Sequence, residues 1–123
     1  MRDIAEGALD GRRVLLVEDE YLIVRNMVRA FEAAGAEVIG PAATVRAALD
    51  LVAASPRIDG AVLDINLRGE MVYPVVDALR IRRVPCVFAT GYDEATIPAP
   101  YATVTRCEKP VDPARIARAL FGY

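Results

Sequence analysis

Short runs of consecutive apolar residues alternate along this chain with longer stretches whose apolar residues recur every three or four positions. The first run, Val14-Leu15-Leu16-Val17, is closed by charges on both sides, the pattern of a strand buried on both faces. From Tyr21 the period becomes helical: Val24, Met27, Val28, Phe31 and Ala34 share a stripe, Arg25, Arg29 and Glu32 fall mostly outside it, and Gly35 is a stop signal. Glu37-Val38-Ile39 predicts a second strand, and Thr44 caps a second helix with Val45, Ala48, Leu49 and Val52 that Ser55-Pro56 ends. Ala61-Val62-Leu63 is the third strand. The helix after it carries Val72, Val75, Val76 and Leu79, and tolerates Pro74 only in its first turn. Cys86-Val87-Phe88-Ala89 is the fourth strand, after which Pro98 and Pro100 permit only a short or broken fourth helix. Thr103-Val104 is the expected fifth strand, and Asp112-Pro113 opens a last helix with Ile116, Ala119 and Leu120 inward.

Five such units predict an α/β fold: a flavodoxin-like, doubly wound, five-stranded parallel sheet of order 2-1-3-4-5 with helices on both faces. With 123 residues the chain has room for one domain, expected over residues 12–123 behind a lead-in of residues 1–11. Apolar residues at 54% and charged residues at 26% supply a core and exclude disorder by composition. A net charge of −2 lacks the basic footprint of a phosphate-backbone binder, so no nucleic-acid partner is expected. No apolar run is long enough to span a membrane and nothing near the start resembles a signal peptide, which predicts a cytoplasmic protein. Cys86 and Cys107 read as reduced packing residues. The chain has no histidine, so any chemistry runs on carboxylates, hydroxyls and lysine.

In a sheet of this order, ligands bind beyond the carboxyl ends of the strands, where the strand order reverses. Glu18 and Asp19 end the first strand, Asp64 the third and Thr90 the fourth, and Lys109 follows the fifth. Taken singly, each has a plain structural explanation: the acidic pair can cap a helix, Asp64 and Thr90 can shape turns, and Lys109-Pro110 can be a solvated turn. Their convergence on one edge is what points to a site. Clustered carboxylates repel unless a cation joins them, and hard oxygen ligands of this kind suit Mg²⁺, with Mn²⁺ as a substitute. Such a site fits a phosphoryl group, with Asp64 as candidate nucleophile.

The set Leu16-Val17-Glu18-Asp19-Glu20, Val62-Leu63-Asp64-Ile65-Asn66, Thr90-Gly91 and Lys109-Pro110 resembles the receiver domain of two-component response regulators, in order and at the right strand ends. The resemblance implies that Asp64 is the phospho-acceptor and that Glu18, Asp19, Asp64 and the main-chain carbonyl of Asn66 hold Mg²⁺. It also implies that Thr90 contacts the phosphoryl group, that Lys109 pairs with it, and that Lys109-Pro110 is a cis peptide. Phe88-Ala89-Thr90-Gly91-Tyr92, with Asn66, Gly69 and Glu70, is similar to the FATGUY subgroup of single-domain receivers.

Two departures stand out. Arg106 occupies the place of the usual switching aromatic, and only 19 positions separate Thr90 from Lys109, shorter than usual by about one helical turn. Tyr92, at the mouth of the expected site, is the alternative candidate for a reporting or gating side chain. The reading is a stand-alone, non-enzymatic response regulator, since the 14 residues after Lys109 are used by the last helix. It would take phosphate from a sensor histidine kinase or a histidine phosphotransfer protein. It would then bind a downstream protein or act as a phosphate sink, as a monomer or weak dimer. A phosphorylation-independent pseudo-receiver adaptor is the alternative. A haloacid-dehalogenase-type phosphatase would need a second aspartate where the chain has Asn66.

Overall fold

A computed structural model describes residues 4–91 and 97–122. Among these residues seven strands and four α-helices follow one another as β1 (Arg13–Val17), α1 (Tyr21–Ala33), β2 (Glu37–Ala42), α2 (Val45–Ala54), β3 (Gly60–Asp64), β4 (Asn66–Leu67), β5 (Glu70–Met71), α3 (Tyr73–Ile81), β6 (Cys86–Thr90), β7 (Thr105–Glu108) and α4 (Pro113–Phe121). Five strands form one parallel sheet of order β2-β1-β3-β6-β7, the expected doubly wound order, while β4 and β5 pair separately as a small antiparallel hairpin.

The strand pleat divides the core in two. Leu15, Val17, Ala61, Leu63 and Phe88 point to the side covered by α2 and α3, where they meet Val45, Ala48, Val52, Val75, Val76 and Leu79. Their neighbours Val14, Leu16, Val62, Val87 and Ala89 point to the opposite side and pack on Met27 and Phe31 of α1 and Ile116, Ala117 and Leu120 of α4. The inward face of α4 thus uses Ala117, and Ala119 is exposed, because the stripe follows Ile116, Ala117 and Leu120 around the helix. Leu9 of the lead-in is fully buried in this second layer, and its N–H donates to the Ala34 carbonyl.

The caps are those the sequence predicts. The Thr44 side chain accepts from the Ala47 N–H and the Asp112 side chain from the Ala114 N–H, and Pro74 and Pro113 lie in the first turns of α3 and α4. The last sheet strand differs: it is Thr105–Glu108, not Thr103-Val104. Val104 packs instead against the α2–α3 core layer, and the ladder to β6 begins with Thr105 opposite Val87. Between β6 and β7 the described chain forms one 3-10 turn, Ala99–Tyr101, in agreement with the short or broken fourth helix. No helix among the described residues is long and apolar enough to cross a membrane.

A shift of register in the β1–β2 ladder sets the end of β1. Leu15 pairs with Ile39 but Val17 with Ala42, whose carbonyl then accepts the Glu18 N–H at 2.9 Å. Gly40 makes this possible: its φ is +102°, and a Cβ there would come within 2.9 Å of the Leu16 carbonyl oxygen. The strand therefore runs out into the acidic residues on the edge where β1 and β3 diverge towards opposite ends of the strand order.

Candidate phospho-acceptor site

Parallel register brings the strand ends level. Val17 lies opposite Leu63, Asp64 opposite Ala89 and Thr90 opposite Glu108, so Glu18, Asp64, Thr90 and Lys109 come to one edge. The Lys109 N–H donates to the Thr90 carbonyl at 2.8 Å and extends the β6–β7 ladder by one step. The Lys109-Pro110 peptide is cis, as the family resemblance implies; Gly40-Pro41 is cis as well.

Lys109 stands at the centre of three carboxylates. Its Nζ lies 3.0 Å from Glu18 Oε1, 3.0 Å from Glu20 Oε1 and 3.3 Å from Asp64 Oδ2. Glu18 and Asp64 are buried, at 2% and 6% exposure, so Lys109 meets them away from bulk water, where the cost of desolvation is set against the attraction. Burial pushes the Glu18 carboxyl up to about 8, the hydrogen bond with Asp64 and the Asp64 charge add to the rise, and Lys109 opposes it. For Lys109 burial acts against the ammonium. Its hydrogen bonds to Glu20 and Glu18 and the charges of Glu18 and Asp64 outweigh that effect and hold the group above the ordinary lysine range. Glu18 Oε1 accepts no hydrogen bond although it is buried, because the nearby Nζ lies off the direction such a bond needs.

The residue after β1 behaves differently. Asp19 turns away from Lys109 and pairs with Arg68, whose Nε is 3.3 Å from Asp19 Oδ2. Arg68 and Gly69 form the two-residue turn of the β4–β5 hairpin, with φ of 54° and 94°. The Asn66 side chain accepts the Gly69 N–H at 2.6 Å, and Glu70 reaches back to the Val45 N–H at the start of α2. This hairpin was not foreseen from the sequence; its strands are two residues long and mostly exposed, so no apolar alternation marks them. Asp19, Glu20, Asp64, Asn66, Arg68, Gly69, Gly91 and Lys109 line an open cavity of about 370 Å³ above the strand ends.

No protein-family model matches the sequence, and no curated protein does. Solved structures do. SdrG from Sphingomonas melonis Fr1 is 36% identical, with a TM-score of 0.76, over 90% of this chain and 94% of that one. A BeF3-activated conformation of SdrG from Pseudomonas melonis Fr1 follows at 35% identity and a TM-score of 0.72, over 89% and 93% of the two chains. The response regulator PhyR from Brucella abortus is 28% identical with a TM-score of 0.69; the match covers 89% of this chain and 47% of PhyR, so the chain spans about half of PhyR's length. The chain belongs to the response regulator receiver domains.

In this receiver the residues singled out by sequence fall into three groups. Glu18, Asp64 and Lys109 are in direct contact, with Thr90 buried at the end of the neighbouring strand. Asp19 and Asn66 line the same cavity without joining the Lys109 cluster. Arg106 is exposed on the edge strand, opposite Phe88, away from that cluster, and Tyr92 lies outside the described residues. Sequence reading missed Glu20, which occupies the N-cap position of α1 without capping it and instead takes a hydrogen bond from Lys109. Its only signal was a third consecutive acid.

The donor set fits a divalent cation. One carboxylate oxygen from each of Glu18, Glu20 and Asp64 lies within 4.8 Å of the other two. Hard oxygen donors of this kind are what Mg²⁺ selects. Cys86 and Cys107 are free, and burial pushes both thiols up, which disfavours the nucleophilic thiolate.

Proposed function

We propose that this receiver accepts a phosphoryl group from a phosphohistidine of a sensor kinase or phosphotransfer protein onto Asp64. The observation that carries the reading is the placement of the Asp64 carboxylate. It is buried at the floor of an open cavity, at the end of a central strand, with Lys109 Nζ 3.3 Å from Oδ2. An Asp64 oxygen attacks phosphorus in line as the bond from phosphorus to the donor imidazole nitrogen breaks, and the electron pair leaves with the imidazole. Glu18, Asp19, Asp64 and the Asn66 carbonyl would hold Mg²⁺, with Glu20 beside them, and the ion when bound neutralises the anionic oxygens that must approach one another. Lys109 stays within reach of the phosphoryl oxygens and links them through its backbone to β7 and the turn before α4. Thr90, buried on the adjoining strand end, supplies a hydroxyl on the other side.

The product signals by binding rather than by turnover, in the manner of the single-domain subgroup that the Phe88–Gly91 segment resembles. The test is phosphotransfer in the presence of Mg²⁺, from a cognate phosphorylated kinase or from a small phosphoramidate donor. Wild type should take up one phosphoryl group and Asp64→Asn none, and EDTA should abolish the reaction. Uptake by Asp64→Asn at wild-type stoichiometry would overturn the assignment. A wild-type protein that accepts none and binds no Mg²⁺ would favour the phosphorylation-independent adaptor.

A further inference from the structure

We propose that Arg68 competes with the divalent cation for Asp19 and, once displaced, becomes a second cationic contact for the phosphoryl group on Asp64. The inference rests on the phospho-acceptor reading and concerns how the same site is loaded. Among the described residues that line the cavity, the cations are Lys109 and Arg68. Lys109 is engaged by Glu18, Glu20 and Asp64 together. Among the described residues Arg68 is engaged by Asp19, and it is the exposed partner of that pair: its side chain is 82% exposed against 10% for Asp19.

The backbone beneath Arg68 is held while its side chain is not. Its left-handed conformation, the Asn66–Gly69 hydrogen bond, the β4–β5 ladder and the Glu70 contact to α2 together fix the Cα at the cavity rim. The guanidinium on its long stem is free to exchange one anion for another. On leaving Asp19 the guanidinium regains water readily, because its own side chain is 82% exposed. A doubly charged ion accepted by Asp19 outcompetes it. The released fork then faces the cavity into which the phosphoryl oxygens project, and its paired N–H groups fit phosphate oxygens as they fit a carboxylate.

The consequence is a pair of opposite effects that a purely structural hairpin residue would not show. The variants are Arg68→Asn, which the left-handed backbone accepts, and Arg68→Lys, which keeps the charge but loses the fork. Calorimetric titration with Mg²⁺ alone should show Arg68→Asn binding the ion three- to tenfold more tightly than wild type. With Mg²⁺ saturating, titration with BeF3⁻ followed by NMR should show the same variant binding that phosphoryl mimic at least threefold more weakly, with Arg68→Lys between the two in both titrations. Unchanged or weakened Mg²⁺ affinity in Arg68→Asn overturns the competition, and unchanged BeF3⁻ affinity overturns the phosphoryl contact. Wild type binding both probes with unaltered variants defeats the Arg68 role alone. Wild type binding neither defeats the phospho-acceptor reading, and this inference with it.

Discussion

At the β1–β3 end of the sheet edge, Glu18, Glu20 and Asp64 crowd one ammonium, and Phe31, Met27 and Leu9 fill the layer below β1 without exposure above 1%. At the β6–β7 end the covering segment is the 3-10 turn Ala99–Tyr101, and none of its residues is buried. That turn is fastened from outside: Tyr101 stacks on Tyr73 at 4.5 Å, its hydroxyl donates to Asp77, and Arg80 both lies over the ring and donates to the Pro100 carbonyl. One region is held by full burial and close charges, the other by partly buried side chains such as Tyr101 and Val104 on the α2–α3 layer and by surface contacts. The free energy of local opening follows buried apolar contact, so the layer below β1 should open less readily than the Ala99–Tyr101 turn. Arg106 is exposed on that second end, opposite Phe88.

The contrast can be broken most directly in the core below β1. Phe31→Ala empties a fully buried ring site and should cost about 3–5 kcal/mol in urea unfolding; a loss well under 2 kcal/mol would mean that this layer is looser than its burial implies. Lys109→Ala comes next. It leaves three carboxylates without their ammonium, and in EDTA it should cost about 1–3 kcal/mol, much of it restored by Mg²⁺, as read from melting curves with and without the ion. A variant as stable as wild type in EDTA would show that the carboxylates do not depend on the lysine. The smallest effect is expected for Tyr101→Ala, which should move the urea midpoint by a small fraction of the Phe31→Ala shift while speeding amide exchange in residues 97–104. Equal shifts in the two midpoints would erase the distinction between the two ends.

Read forwards, the chain announced every element whose burial is repetitive. β1, β3 and β6 are continuous apolar runs because helices cover both their faces, and Thr44 and Asp112 cap the helices they were expected to cap. The same pattern misplaced the last sheet strand by two residues. Val104 is β-branched and apolar, yet it serves the α2–α3 layer, whereas the true strand includes exposed Arg106 and Glu108, polar because β7 is an edge.

The site divides along the same line. Glu18, Asp64, Thr90 and Lys109 were legible because parallel strands of known order put their C-terminal residues on one edge, so position in sequence becomes position in space. Their distances were not, and neither were the partners that long side chains choose across elements. Glu20 reads locally as the start of a helix, and only the approach of Lys109 from 89 positions away brings it into the cluster. Asp19 reads as the twin of Glu18, and only the hairpin after β3 hands it to Arg68. Sequence alone determined the strand order, the caps and the edge on which the candidate residues meet, since these follow from periodicity and chain connectivity. The tertiary structure decided which carboxylate faces which cation, because that choice depends on burial and on side-chain reach between segments that no local pattern connects.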